Sequence, residues 1–219
     1  MAAVSLGQLA KTTQARVAEK MRTAEKSYPV TVLDKKIIVF PRVFCPATDT
    51  ILLIQSARIE ETDRVLEPFS GSGAVSVFLA NRASSVVATD INPEAVKNIN
   101  ENIRLHGLET KMRVVQADIF PDEKTRFDVI VANPPYTDNE AHDDVEKAFW
   151  DKNHQTVRAF FREAKKHLAP DGKIYCSWSN FADFDFFEKM VKANRYSIQP
   201  ISETSKEWKT YRVYEIKPR

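Results

Sequence analysis

The chain has few cysteines and glycines and no long apolar run. Its two cysteines, Cys45 and Cys176, match neither a CxxC pair nor a set of metal ligands. They predict reduced thiols in a cytoplasmic protein, and they argue against a disulfide framework or a metal centre. No stretch approaches the ~18 apolar residues that a membrane-spanning helix needs. With only five glycines and no Gly/Ser tract, we expect no flexible linker between domains.

An excess of charge of one sign is also lacking. The 32 basic residues nearly balance the 30 acidic ones, which leaves a net charge of +2. Proteins that bind nucleic acid usually carry a basic stripe or patch. The balance permits a local patch but excludes a polycation. It therefore favours a protein or a small molecule over nucleic acid as the partner.

From residue 63 onward, strand-like runs alternate with helical ones. Alternation of this kind predicts the α/β class, with a doubly wound, Rossmann-like and mostly parallel sheet. The runs YSIQPI and KTYRVYEIK near the C-terminus predict an antiparallel strand pair. The predicted strands are 63–67, 85–89, 112–117, 126–132 and 172–179, and the predicted helices are 73–82, 93–107, 143–168 and 181–193.

A shorter segment precedes this alternation. The sequence predicts an amphipathic helix, then two strands within residues 29–40 joined by a polar turn at Asp34-Lys35, then a helix over 48–58. We therefore divide the chain into an N-terminal extension, residues 1–45, that could act as a lid, and a main domain, residues 46–219. The predicted apolar side of the first helix consists of Val4, Leu6, Leu9, Val17 and Met21.

Ligands of open α/β sheets bind beyond the carboxyl ends of the strands. In this chain, four consecutive strands are followed there by turn-forming or polar residues. Each loop alone would be weak grounds for a site, but together they indicate one pocket. The four loops are EPFSGSG (67–73), Asp90-Ile91-Asn92, Asp118-Ile119-Phe120 and Asn133-Pro134-Pro135-Tyr136.

The first three loops suit an adenosine. Gly71 and Gly73 let the backbone turn tightly and let a ligand approach it closely. A carboxylate at Asp90 can hold both hydroxyls of a ribose, although it could also cap the following helix. Asp118, beside Ile119, suits the amino group and flat face of adenine. Because the glycine loop lacks the full GxGxxG and the Lys of a phosphate cradle, the pocket predicts a phosphate-free cofactor, most commonly S-adenosylmethionine.

The fourth loop ends the strand FDVIVANPPY (127–136) with hydrogen-bond acceptors. The Asn133 side-chain oxygen and the Pro134 carbonyl can accept the two N–H groups of an amino nitrogen, which favours a pyramidal nitrogen and frees its lone pair. Prolines fix the backbone and add no competing N–H. Tyr136 offers a flat face to a planar acceptor. Asn133, Pro134 and Tyr136 are therefore the predicted catalytic residues; the alternative is a proline-stiffened strand exit with Tyr136 as packing.

Over residues 46–180 these motifs resemble those of class I S-adenosylmethionine-dependent methyltransferases. NPPY resembles the subset that methylates planar amino nitrogens, which includes the HemK/PrmC glutamine methyltransferases and adenine-N6 nucleic-acid enzymes. VFCPATDTILL (43–53) and TDINPEAV (89–96) are similar to the HemK group in particular. Two features depart from that group. Phe69 stands where the HemK group usually has a glycine, and the Pro-Phe pair at 68–69 is more similar to DNA and rRNA base methyltransferases. In addition, no Gly-Gly follows NPPY.

The resemblance implies a methyltransferase whose acceptor is a protein glutamine side chain. It also implies that Phe44 and Asp49 lie at the methionine end of the cofactor, although helix capping by Thr48 or Asp49 is an alternative. An activator subunit is compatible with it, because some HemK-type relatives need one. The expected cofactor site comprises Phe44, Asp49, Glu67, Phe69, Gly71, Gly73, Asp90, Ile91, Asp118, Ile119 and Asn133.

Three other functions stay open at this point. The acceptor could be a metabolite enclosed by residues 1–45, including transfer or cyclisation of the methionyl arm of the cofactor. It could be an adenine or guanine amino group of RNA or DNA, although no added RNA-binding module is evident. A non-catalytic scaffold is disfavoured, because all the expected ligand positions are present.

Overall fold

A computed structural model describes residues 5–122 and 124–219; Val4, predicted on the apolar side of the first helix, lies outside them. A seven-stranded sheet has the order β5-β4-β3-β6-β7-β9-β8. Strands β3 to β7 run parallel, and β9 is antiparallel to both β7 and β8. The sheet strands are β3 Arg64–Pro68, β4 Ser85–Asp90, β5 Met112–Gln116, β6 Phe127–Ala132, β7 Leu168–Ser179, β8 Tyr196–Lys206 and β9 Lys209–Pro218.

This topology confirms the predicted doubly wound, mostly parallel sheet and its C-terminal antiparallel pair. The central strands are apolar on both faces because helices cover both; in β6, for example, only Asp128 is not fully buried. None of the described helices combines the length and hydropathy needed to cross a membrane. The helices around the sheet are α2 Thr48–Ser56, α3 Ala74–Ala80, α4 Pro93–Leu105, α5 Gln155–His167 and α6 Phe184–Ala193.

The N-terminal extension consists of helix α1, Leu6–Thr23, and a hairpin of β1, Tyr28–Val32, and β2, Lys35–Val39. The helix and hairpin were predicted, but of the residues predicted on the apolar side of α1, Met21 is buried while Leu6, Leu9 and Val17 are not. Leu6, Leu9 and Val17 are 42%, 36% and 37% exposed, and the buried residues are Ala10, Ala18 and Met21. The helix rests on a loop of the main domain at close range, so small side chains face inward.

The helix predicted over 143–168 was also wrong, because only its second half is helical. Two short 3₁₀ turns, Glu146–Ala148 and Lys152–His154, precede α5. Asn153 and His154 have φ of 55° and 54°, which breaks any continuous helix. The Asp151 carboxylate then starts α5 by accepting from the backbone N–H groups of Thr156 and Val157, at 2.9 and 3.1 Å.

Three further boundaries differ from prediction. Strand β7 begins at Leu168 instead of 172, and α6 begins at Phe184 because a 3₁₀ turn occupies Asn180–Ala182. Neither Thr48 nor Asp49 is the N-cap of α2. The N-cap is Ala47, whose own N–H donates to Thr50 Oγ1 at 3.1 Å.

Candidate active site

A cavity of about 420 Å³ opens at the carboxyl edge of the sheet. It lies where the strand order reverses, since β3 is flanked by β4 on one side and by β6 on the other. The predicted site residues that line it are Phe44, Asp49, Glu67, Phe69, Gly71, Asp90, Ile91, Asp118, Ile119, Asn133, Pro134 and Tyr136. Gly73 is not brought to the cavity wall. It is the N-cap of α3, and a side chain there would meet Ile99.

Asp90 joins the ends of two strands. Its Oδ2 accepts from the Gly71 backbone N–H at 2.8 Å, and its Oδ1 accepts from the Asn92 N–H at 2.9 Å. Burial raises the pKa of Asp90, and these two N–H bonds oppose the shift. Asp90 does not cap α4, because the side chain of Asn92 accepts from Glu94 N–H instead. Each carboxylate oxygen therefore retains a lone pair for a ligand.

Glu67 is a buried carboxyl on the cavity wall. Its Oε2 accepts from the backbone N–H of Ser76, at 2.8 Å, and from the Ser76 hydroxyl, so it anchors the first turn of α3. Burial raises the pKa of Glu67 to about 8. A carboxyl with that pKa is mostly protonated at neutral pH, and it therefore adds little negative charge to the site.

Apolar residues flank the exposed carboxylate of Asp118. Ile119 is buried, with a φ of 71°, and Ile91 is 41% exposed. Phe69 has a φ of 60°, and its ring packs edge-on against Phe160 at 5.9 Å. These side chains give the cavity two apolar walls beside its acidic groups.

The NPPY loop is held at both ends. Asn133 Oδ1 accepts from the Ser177 hydroxyl at 2.5 Å. The Tyr136 hydroxyl donates to Asp49 Oδ2 at 2.6 Å, and burial together with that carboxylate raises the pKa of Tyr136. Between them, the Pro134 carbonyl accepts no hydrogen bond from residues 5–122 or 124–219. It is therefore free to accept one from a ligand.

Helix α1 supplies a wall residue that the sequence did not reveal. Gln14 Nε2 donates to Thr137 Oγ1 at 2.9 Å, and Gln14 Oε1 accepts from Trp150 Nε1 at 3.1 Å. Gln14 and Trp150 both line the cavity. A glutamine within a helix belongs to no motif, and its partners are 123 and 136 residues away. The need of a buried indole N–H for an acceptor was the sole available signal.

Helix α1 and residues 138–151, together called the cover below, form a second small core. Backbone bonds between Thr137 and its neighbours Phe149 and Asp151 close the base of the 138–151 loop. Arg22 donates to Asp143 at 2.8 Å and to Glu146 at 2.6 Å. Phe149 and Trp150 are buried here and also line the cavity. The buried residues of this core are Ala18, Met21, Val145, Phe149 and Trp150.

The charge of the cavity wall suits a cationic ligand. Seven acidic residues, of which Glu67 adds little charge, face three basic ones, two of which are already paired: Lys147 with Asp144 and Lys152 with Glu140, each at 3.0 Å. A sulfonium beside an ammonium fits such a wall, whereas a phosphate does not. The seven are Asp49, Glu67, Asp90, Asp118, Glu140, Asp144 and Asp151.

The topology, the reversal of strand order and the carboxylates at consecutive strand ends define a class I S-adenosylmethionine-dependent methyltransferase. The methyltransferase small domain family matches residues 36–199, so the chain belongs to that family. The chain thus belongs to a family of methyltransferases, as the sequence predicted.

Relatives differ in their acceptors. A putative protein N5-glutamine methyltransferase of Methanocaldococcus jannaschii is 37% identical over 102 residues, covering 46% of this chain and 51% of its own length. A tRNA1(Val) (adenine(37)-N6)-methyltransferase of Parabacteroides distasonis is 31% identical over 133 residues, covering 58% and 56%. The chain therefore spans about half the length of these relatives.

Among solved structures, the 16S rRNA N2 G1207 methyltransferase of T. thermophilus, in complex with AdoMet and guanosine, is similar with a TM-score of 0.70. The match covers 89% of this chain and 50% of the other, at 20% identity. At that identity the likeness shows the fold alone.

Proposed function

We propose that the protein methylates a planar amino nitrogen, and that its acceptor is the side-chain amide of a protein glutamine. The observation that carries the chemistry is the pair of acceptor oxygens at the end of β6. Asn133 and Pro134 both line the cavity, and the Pro134 carbonyl accepts no bond from the described part of the chain.

The chemical character of the residues that line the cavity matches the parts of the cofactor. We assign Asp90 to the ribose hydroxyls and Asp118 to the adenine amino group, with Ile91 and Ile119 against the flat faces of the base. Phe44 and Asp49 are assigned to the methionine end. S-adenosylmethionine would supply a methyl group on a sulfonium: its C–S bond would break as the acceptor nitrogen bonds to that carbon, the thioether S-adenosylhomocysteine would leave, and the nitrogen would lose one N–H proton to water.

The chain itself prepares the nitrogen. An amide nitrogen is a poor nucleophile because its lone pair is delocalised into the carbonyl group. Asn133 Oδ1 and the Pro134 carbonyl each accept one N–H of the acceptor, which favours a pyramidal nitrogen and localises the pair. Neither oxygen is basic enough to remove a proton, so the role of these groups is alignment. Two prolines keep the loop from presenting donors in the same place.

Charge supports a protein acceptor over a nucleic acid. Of the three basic residues at the cavity, Lys147 and Lys152 are paired with carboxylates, and the third, Arg42, is outnumbered by the acidic residues of the wall. A nucleic-acid backbone would need unpaired basic groups there. The glutamine methyltransferase among the relatives supports the same choice. Because another relative is an adenine-N6 methyltransferase of tRNA, the experiment below also tests RNA as the acceptor.

A second candidate is favoured by one observation, the cover. Gln14 and Trp150 place α1 against the acceptor side of the cavity. An enclosed chamber suits a small metabolite, or the methionyl arm of the cofactor itself, better than a protein loop. We therefore propose the cover as a lid, which must open for a protein acceptor and can stay closed for a metabolite.

One experiment separates these acceptors. The protein is incubated with S-adenosylmethionine labelled in the methyl group and with a cell extract, and the protein, RNA and small-molecule fractions are then separated. We expect label in protein, released by acid hydrolysis as methylamine. Label in RNA or in metabolites would replace the glutamine proposal, and loss of label with Asn133→Ala shows that the transfer belongs to this site.

A further inference from the structure

Asn133 is oriented by a serine of the neighbouring strand. The parallel register pairs Ala132 with Cys176, so the next residue of each strand, Asn133 and Ser177, lie side by side at the edge of the sheet. The Ser177 hydroxyl donates to Asn133 Oδ1 at 2.5 Å. Ser177 is fully buried and does not line the cavity. It therefore contacts the reactive loop but has no access to a ligand.

The orientation of this amide decides what the cavity offers. The two ends of an asparagine amide are similar in size, but one is an acceptor and the other carries two donors. An amide turned by half a rotation would present N–H groups to the N–H groups of the acceptor. The separation of 2.5 Å lies at the short end of the O–H···O range and below the N–H···O range. The contact thus favours the rotamer with Oδ1 at Ser177.

We propose that Ser177 is a positioning residue for methyl transfer. Its hydroxyl occupies one lone pair of Asn133 Oδ1 and fixes the oxygen so that the second lone pair faces the acceptor nitrogen. This inference rests on the proposed function, because it assigns Asn133 to the acceptor. The proposal makes a hydroxyl on β7 necessary for the reaction, although Ser177 lies outside the NPPY motif.

The test compares Ser177→Ala with Ser177→Thr, which restores a hydroxyl, and with Ser179→Ala as the matched control. Ser179 is also buried on β7, but its hydroxyl bonds to the Thr210 carbonyl at 3.0 Å, away from Asn133. Loss of one neutral hydrogen bond is worth about 1 kcal/mol, so we expect about a five- to ten-fold lower kcat for Ser177→Ala. Binding of S-adenosylmethionine should be unchanged, and kcat should recover in Ser177→Thr. Ser179→Ala should keep wild-type kcat.

Two kinetic outcomes for the Ser177 variants would overturn the proposal. One is wild-type kcat in Ser177→Ala. The other is an equal loss in Ser177→Thr although that variant melts at the wild-type temperature, since a hydroxyl would then be irrelevant. A third overturning result is equal loss of kcat in Ser179→Ala, which would indicate a general effect of buried serines.

A measurement without turnover separates this inference from the proposed function. In protein labelled with ¹⁵N-asparagine, the Asn133 side-chain amide signal is assigned by its loss in Asn133→Ala. It should shift in Ser177→Ala and return in Ser177→Thr. If the signal does not shift in Ser177→Ala, Ser177 does not position Asn133. If the signal moves but the wild type methylates no acceptor, the proposed function fails while the contact stands.

Discussion

Tyr136 and Asp49 join two distant parts of the chain through one buried hydrogen bond. The tyrosine is 7% exposed and the aspartate 3%, and their oxygens are 2.6 Å apart. Asp49 Oδ1 also accepts from Thr50 N–H at 2.8 Å. A carboxylate expected at the methionine end of the cofactor therefore also fixes the end of the NPPY loop.

Removing the Tyr136 hydroxyl should therefore loosen that loop. We expect Tyr136→Phe to lower the free energy of unfolding by about 1–3 kcal/mol, because it leaves a buried carboxylate oxygen without a donor. Urea denaturation followed by circular dichroism measures the change. Tyr175→Phe is the control, since its hydroxyl donates to Glu215 outside the cavity. Equal stability of Tyr136→Phe and wild type would contradict the role given to this bond.

Asp90 should be the residue on which cofactor affinity depends most. Two hydrogen bonds to a charged group are worth at least about 3 kcal/mol, so Asp90→Ala should weaken S-adenosylmethionine binding about 100-fold or more. Calorimetric titration gives the dissociation constant. Asp63→Ala is the control, because this carboxylate accepts from Glu60 N–H away from the cavity; the dissociation constant should be unchanged. An unaltered constant for Asp90→Ala refutes the ribose assignment.

The sequence allowed the sheet and its four strand-end loops to be predicted, because both depend on local patterns. Apolar runs separated by amphipathic helices identify parallel strands, and the carboxyl ends of such strands share one edge. Asp90, Asp118 and Asn133 therefore came together without any knowledge of long-range packing. The same pattern revealed no difference between Gly71, which lines the cavity, and Gly73, which faces Ile99.

The structure of the cover could not be predicted from local sequence patterns. Residues 143–154 have the composition of a helix, yet left-handed backbone at Asn153 and His154 and the capping carboxylate of Asp151 start the helix later. The apolar stripe of α1 predicted one docking face, but the helix packs on a loop through Ala18 and Met21. Contacts between residues more than 120 positions apart, such as Gln14 with Thr137, follow from no periodicity.

Arg22 should hold the two parts of the cover together. Its guanidinium pairs with Asp143 and Glu146 across the gap between α1 and the loop. A partly exposed pair is worth about 1 kcal/mol, so Arg22→Ala should speed hydrogen exchange of residues 6–23 and 138–151 about five-fold. Mass spectrometry of peptides from these segments measures it. Arg104→Ala, which removes an exposed ion pair with Glu101 on α4, should not change the hydrogen exchange of these segments. Equal exchange in Arg22→Ala and wild type would contradict this role of Arg22.

Gly73 should tolerate no side chain, although it does not touch the cavity. Its φ is 77°, and an added Cβ would lie 3.0 Å from Cγ1 of the buried Ile99. Left-handed strain of 1–2 kcal/mol and overpacking of 1–3 kcal/mol predict a loss of about 3 kcal/mol for Gly73→Ala. Gly107→Ala is matched in φ, at 62°, but meets nothing within 4 Å. It should lose only the strain, and equal losses in urea denaturation would contradict the packing argument.

Glu67 should make stability depend on pH in an unusual direction. Burial raises its pKa in the folded protein to about 8, above the ordinary value of 4.5. The folded state therefore binds a proton that the unfolded state has released. The corresponding stability is fully present below about pH 4.5 and is lost as the pH rises through 8. A shift of this size is worth a few kcal/mol.

Glu67→Gln removes the titrating group while keeping the shape and an acceptor oxygen for Ser76 N–H. We therefore expect the stability of the variant relative to wild type to increase steadily between pH 5 and pH 9, measured by urea denaturation at both ends and at pH 7. Equal m-values would show that unfolding exposes the same surface in both proteins. A constant difference across this range would mean that Glu67 is ionised in the folded protein, and that the buried carboxyl adds its full negative charge to the cofactor pocket.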